Sequence, residues 1–320
     1  MPILLKPVFR PLLRRLLMLV PTLLMISVVI FALLAILPGD PATAILGQEG
    51  TPEALQALRA RLHLDDPIYL QYGRWLLALL HGDLGRSFVD NTPVIDALLQ
   101  RLPVTIELAI GSFLIALAIA LPAGILAAAR PRGIVNHLSS LVALFGMSVP
   151  HFWLGMLFII VFAVKLGWLP ASGYVPLLQD WRGNLLAMLM PMLATGLRES
   201  AILMRMVRSS LLEVLNEDYI RTAFSKGLKD HQVVLGHALR NAMIPVVTAS
   251  GLTVSGMLGG LVITESIFGI PGMGKMIVDA IFQRDYVTVQ AGVLAAALMV
   301  VIVNLAVDAL YAVIDPRLAR

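Results

Sequence analysis

The sequence predicts an all-α integral membrane protein with six transmembrane helices, and three observations carry that prediction. First, 58% of the 320 residues are hydrophobic before the 25 glycines are counted, and only 14% are charged. A soluble domain is about 45–50% apolar with glycine included and about 25% charged. A chain with a mean hydropathy of +0.86 therefore lacks the polar residues to cover a water-facing surface. Second, six apolar runs are long enough for the roughly 20 residues that cross a hydrocarbon core of about 30 Å. Third, Lys and Arg collect on one side when these runs are threaded alternately through a membrane. The abundance of apolar residues also excludes a disordered chain.

The elements follow in chain order. Residues 1–15 carry Lys6, Arg10, Arg14 and Arg15 and form a basic cytoplasmic N-terminus. A basic stretch before an apolar run also describes a signal peptide. However, the run 16–37 is long and ends in Leu37-Pro38-Gly39-Asp40 without a small-residue cleavage site, so a retained first transmembrane helix is expected. Residues 38–103 form an external segment with helical patterning around 52–64 and 68–80, punctuated by Pro and Gly. The core, 104–314, holds the other five spans, near 104–129, 138–164, 185–206, 243–264 and 289–314. The fourth span is the weakest because Arg198 and Glu199 lie inside it. Residues 205–242 form a long loop between the fourth and fifth spans, and 315–320 follow the last span as a cytoplasmic C-terminus.

With the N-terminus inside, the cytoplasmic segments 1–15, 130–137, 205–242 and 315–320 hold fourteen Lys and Arg against five Asp and Glu. The external segments 38–103, 165–184 and 265–288 hold nine against twelve. Basic residues are retained inside, so both termini are cytoplasmic. The net charge of +4 thus reports orientation, and nucleic acid is not an expected partner. Four charged residues remain within spans: Glu107, Arg198, Glu199 and Asp308. Glu107 and Asp308 lie near the interfaces and are expected to face the bundle, bonded to neighbouring helices.

No catalytic, metal or cofactor site is expected in this chain. Cysteine is absent, which excludes disulfides, thiolate metal sites and cysteine nucleophiles. Residues 269–275 fit G-x-x-x-x-G-K, but Met276 stands where a phosphate loop needs Ser or Thr. A turn entering the sixth-span region explains them better. His231 and His237 are six apart, which is wrong for a helical metal pair, and neither H-E-x-x-H nor G-x-S-x-G occurs.

Two segments do suggest function. In 216–227, Asn216 is an expected N-cap, Glu217 and Asp218 put negative charge on the first turn, and Lys226 lies in the last. Gly227 can take the left-handed conformation that ends a helix. The result is a ten-residue cytoplasmic helix with Ile220 and Phe224 on one stripe and Tyr219 and Ala223 beside them. Such a helix suits a groove on a partner, and it equally suits the lipid headgroup layer. The second segment surrounds Pro150, which breaks the third span beside Ser148, His151 and Phe152. Broken backbone at that depth is tolerated where it is buried or lines a cavity, so these four residues are expected to border a translocation path. An ordinary kink is the alternative.

Composition alone also allows an ion-coupled secondary transporter or a membrane scaffold. The first predicts an inverted repeat or paired intramembrane carboxylates, and neither is evident in the sequence.

The residues 217–227, followed by His237-Ala238-Leu239-Arg240-Asn241-Ala242 and Ile244-Pro245-Val246, resemble the cytoplasmic EAA loop of ABC importer permeases of the peptide/nickel subfamily. The general EAA pattern departs at Arg221-Thr222-Ala223 and Leu239-Arg240, as is usual in that subfamily. Further similarities run along the chain in order: Leu37-Pro38-Gly39-Asp40-Pro41, Gly82-Asp83-Leu84-Gly85, Ser148-Val149-Pro150-His151-Phe152-Trp153, Gly167-Trp168-Leu169-Pro170, Pro271-Gly272-Met273-Gly274 and Asp315-Pro316-Arg317. The resemblance implies a type I ABC importer permease fold in the bacterial plasma (inner) membrane. It implies a second homologous permease, two cytoplasmic ATPase subunits holding ATP and Mg, and an external substrate-binding protein as partners. Glu217, Asp218, Tyr219, Arg221, Thr222, Ala223, Lys226 and Gly227 would form the ATPase-docking coupling helix. The cargo would be di- or oligopeptides, with nickel complexes or glutathione carried by the same kind of machinery.

Overall fold

The computed structural model describes residues 6–36, 41–46, 51–131, 133, 134, 141 and 145–314. The Leu37-Pro38-Gly39-Asp40 turn, part of the expected third span and Asp315-Pro316-Arg317 lie outside the described residues, as does the side chain of Asp308.

Regular structure among the described residues is helical: α1 (Lys6–Ile36), α2 (Pro41–Leu46), α3 (Pro52–Arg61), α4 (Ile68–Leu80), α5 (Val94–Ala129), α6 (His151–Lys165), α7 (Trp181–Leu215), α8 (Asp218–Ser225), α9 (Asp230–Phe268), α10 (Met273–Phe282) and α11 (Tyr286–Ile314). An isolated bridge between Arg86 and Pro93 is the one strand-like pairing among them. Among the described residues, five helices are long and apolar enough to cross a membrane: α1, α5, α7, α9 and α11. The expected third span is represented by α6, which is apolar but shorter. Several helices run longer than their apolar cores predict. The 36 residues of α5 and 35 of α7 extend about 50 Å at 1.5 Å per residue, so each overhangs a bilayer.

The chain divides into two compact units. One comprises Leu16–Thr105 and Pro271–Val301. Here Phe31 of α1 packs against Tyr72 and Trp75 of α4, with ring centroids 5.4 and 5.9 Å away, and Ser27 shares a 2.9 Å hydrogen bond with the Tyr72 hydroxyl. Thr51 caps α3 by accepting from the Ala54 N–H. Val94 and Leu98 of α5 form a core with Met273 and Met276 of α10 and Ala291 of α11. A Cβ at Gly85 would lie 2.7 Å from Val287, so the 82–93 loop reaches this core only with glycine there. Asp285 stitches the loop down by accepting from the Phe88 N–H at 3.2 Å and the Thr288 hydroxyl at 2.6 Å.

The other unit is built on Ile106–Ile270 with the stretch from Ile302 onward. Its α5 and α7 run side by side in the same direction. Gly111 meets Met192, Gly196 meets the Ser112 carbonyl, and Gly124 meets Met204 and Val207. A Cβ at Gly196 would stand 2.7 Å from that carbonyl, the close backbone approach typical of membrane helices. Buried Ser210 donates to the Ala242 carbonyl at 2.8 Å and joins α7 to α9. The exterior is strongly apolar. Leu114 and Leu126 of α5 and Leu252 of α9 are all exposed, which suits lipid or another subunit rather than water.

Candidate functional site

The loop after α7 is the most sharply built feature of the chain. Helix α7 ends at Leu215, and Asn216 caps its C-terminus, with Nδ2 donating to the Leu212 carbonyl at 2.9 Å. The expected role of Asn216 as an N-cap is thus corrected. Glu217 takes that position with extended backbone (φ −70°, ψ 147°). A long preceding helix uses up Asn216, which sequence spacing could not show. Helix α8 therefore has 8 residues rather than ten, with Lys226 as its C-cap. Gly227 follows at φ +82°, left-handed as its position predicted. Hydroxyls of Thr222 and Ser225 bond back to the carbonyls of Asp218 and Arg221.

Helix α8 has two dissimilar faces. Ile220 is fully buried and Ala223 nearly so, in a core with Ala128 of α5, Leu211 of α7 and Val233, Val234, Ala238 and Ala242 of α9. Phe224, expected to share the Ile220 stripe, is 41% exposed, and Tyr219 is 43% exposed. The inward stripe is therefore Ile220 and Ala223, three residues apart, and the aromatic rings are left outside. With Glu217, Asp218, Arg221, Thr222, Lys226 and Gly227 exposed as Tyr219 is, seven of the eight expected docking residues lie on the open side. Ala223 instead supports the helix from behind.

The return path is just as firmly held. Asn241 Nδ2 donates to the Tyr219 hydroxyl at 2.8 Å, and the Lys229 N–H donates to Gln232 Oε1 at the start of α9. The turns 233–238 then widen to π geometry, often found at functional sites.

A second cluster surrounds Pro150. Residues 145–148 are helical, the helix lapses at Val149 and Pro150, and α6 restarts at His151. Ser148, Pro150 and Phe152 are exposed, and His151 is half-buried, its Nε2–H donating to the Gly260 carbonyl of α9 at 3.3 Å. The structure thus brings the four expected path residues together on one break. Sequence reasoning missed two polar contacts on α7: the hydroxyls of Thr195 and Thr264 lie 3.2 Å apart, and buried Glu199 accepts from Arg198 at 2.9 Å.

Glu107 is bonded to neighbouring elements. It accepts from the Tyr174 hydroxyl at 2.9 Å and from Asn184 Nδ2 at 2.6 Å. Burial, and then this bond to Glu107, push the Tyr174 phenol up to about 12. The G-x-x-x-x-G-K stretch offers no phosphate cradle. Gly269 ends α9 in the left-handed region, the Met273 N–H donates to Thr105 Oγ1 at 2.8 Å, and Lys275 pairs with Asp279.

With this geometry in place, comparison with known proteins decides the family. Residues 120–320 match the binding-protein-dependent transport system inner membrane component, and residues 8–109 match the N-terminal region of the same kind of component. The chain belongs to that family. As a binding-protein-dependent transport component it is a permease subunit rather than an enzyme, and a multi-pass protein of the inner membrane. The dipeptide transport system permease protein DppB of Escherichia coli (strain K12) is 41% identical over 330 residues, spanning 96% of this chain and 97% of that one. DppB of Alkalihalophilus pseudofirmus is 40% identical over 326 residues, spanning 95% and 98%. Among solved structures, the MetNI methionine ABC transporter in inward-facing conformations aligns with a TM-score of 0.58. That alignment covers 70% of this chain and 98% of the other at 19% identity. The likeness shows the type I ABC permease fold, and this chain carries structure beyond it.

Proposed function

We propose that this permease is one of two similar membrane subunits of an ATP-driven importer of di- and oligopeptides, with both termini in the cytoplasm. Two ATPase chains holding ATP and Mg drive it, and an external binding protein delivers the cargo. The relatives named for dipeptide transport support the cargo. The observation that carries the mechanism is the division of α8 into an anchored and an open face. Energy enters a two-state transporter only through contacts that differ between its states. Ile220 and Ala223 root α8 in α5, α7 and α9, while Glu217, Asp218, Tyr219, Arg221, Thr222 and Lys226 are presented to the ATPase. A displacement of α8 then moves the spans to which it is rooted, and Gly227 lets the chain turn back toward α9. Ser148, Pro150, His151 and Phe152 border the path through the spans, and residues 38–103 contribute to the external surface that receives the binding protein.

The test is purification with native partners. Two ATPase chains are expected to co-isolate, and reconstituted vesicles are expected to accumulate peptide only with ATP and the loaded binding protein. Accumulation driven by an ion gradient without ATP would overturn the reading. For the path, Pro150→Ala is expected to alter rate or selectivity, and unchanged transport with unchanged selectivity would remove those residues from it.

A further inference from the structure

The depth of Arg198 follows from helix register. Gly196 packs on Ser112 and Ile115 of α5, and Gly124 of α5 packs on Met204 and Val207. Arg198 therefore lies level with about residues 115–120 of α5, midway along the uncharged run between Glu107 and Arg130. That run of 108–129 is about 33 Å long, so Arg198 sits at mid-membrane. An arginine at such depth faces a partner or a water-filled path.

One partner is visible. Glu199, its side chain 5% exposed, accepts from Arg198 Nη1 at 2.9 Å, while the Arg198 side chain is 40% exposed. Among the described residues this is the guanidinium's one hydrogen bond, and the group has five N–H donors. The carboxylate thus fixes the fork from behind and leaves its other edge open. Gly146 packs on Leu197 and Ala201, and Gly155 packs on Ala194, which sets the Pro150 break against the same stretch of α7. A planar cationic fork, oriented by a buried carboxylate and open beside a helix break, is suited to a planar anion held by two hydrogen bonds.

We propose that Arg198 is a mid-membrane recognition point for the carboxylate of the cargo, with Glu199 as its positioning residue. The proposal rests on the peptide reading above, in which every unmodified peptide presents a C-terminal carboxylate.

The experiment uses the full complex in vesicles with loaded binding protein. It compares uptake of a dipeptide with that of its C-terminal amide, each normalised to measured occupancy of the binding protein. Wild type is expected to favour the free acid. Arg198→Gln is expected to lower free-acid uptake on the order of tenfold, the size of a lost charge-assisted bond, and to leave the amide unchanged. Arg198→Lys, which keeps the charge without the planar fork, is expected to fall between, and it serves as the variant if Arg198→Gln does not assemble with its ATPases. Glu199→Gln is expected to weaken the preference without abolishing it. Equal loss for acid and amide in an assembled variant, or an undiminished preference, would overturn the proposal while leaving the peptide reading intact. Absence of any peptide uptake by wild type would overturn both.

Discussion

At the scale of single residues, backbone and hydrogen-bond chemistry give two sharp expectations. Gly227 has φ +82° and nothing within 4 Å of where a Cβ would stand, so conformation rather than crowding demands glycine. A side chain in the left-handed region costs roughly 1–2 kcal/mol, and a β-branched one resists it most. Gly227→Val is expected to weaken ATPase association and abolish uptake with the membrane bundle intact. Wild-type stimulation of ATPase activity by the binding protein in that variant would contradict it. Tyr174 gives the second. Its phenol donates to Glu107 only while protonated, and it titrates at about 12 against an ordinary value near 10. The folded-state value is raised, so the contribution is whole below about pH 10 and is lost as pH climbs from about 10 to about 12. Tyr174→Phe is expected to cost about 1 kcal/mol and to remove a tyrosinate absorbance step near pH 12.

At the scale of elements, α8 separates a buried face from an open one, and the anchoring and docking proposed for them can be broken independently. Ile220 is fully buried, and truncating a buried isoleucine costs about 2–5 kcal/mol. Ile220→Ala is expected to loosen 216–232, seen as faster limited proteolysis there, together with poor coupling. Phe224→Ala removes an exposed ring and is expected to leave proteolysis unchanged while weakening ATPase binding. Identical behaviour of the two variants would dissolve the distinction between the faces. The existence, charge pattern and glycine exit of this helix were legible in the sequence, because they depend on neighbours within one turn. Its start and inward stripe were not. Asn216 can cap either of two abutting helices, and whether residue 223 or 224 turns inward depends on the positions of α5, α7 and α9.

At the scale of the whole molecule, orientation is the largest expectation still open to direct measurement. The chain has no cysteine, so single-cysteine variants report accessibility without background. In intact cells an impermeant maleimide added outside is expected to label Val89→Cys and spare Ser225→Cys, with both labelled after the membrane is opened. The reverse pattern would invert the topology drawn from the basic residues. The candidate path was legible only in part. Pro150 announced a break, but the polar contact that seats it joins residues far apart in the chain, His151 with Gly260.

The sequence by itself determined that this chain lives in a bilayer, where its apolar runs fall, how its basic residues segregate among the loops and where the short capped helix proposed for docking lies. Those features follow from local quantities: apolar run length, charge segregation and capping residues. Only the tertiary structure decided that Ala223 faces inward, that Asn216 belongs to α7, and that the stretch of α7 around Arg198 packs level with about residues 115–120 of α5. Depth and facing are set by helix register, and here the register depends on glycines where two backbones touch. Apolar run length and charge pattern do not encode that contact.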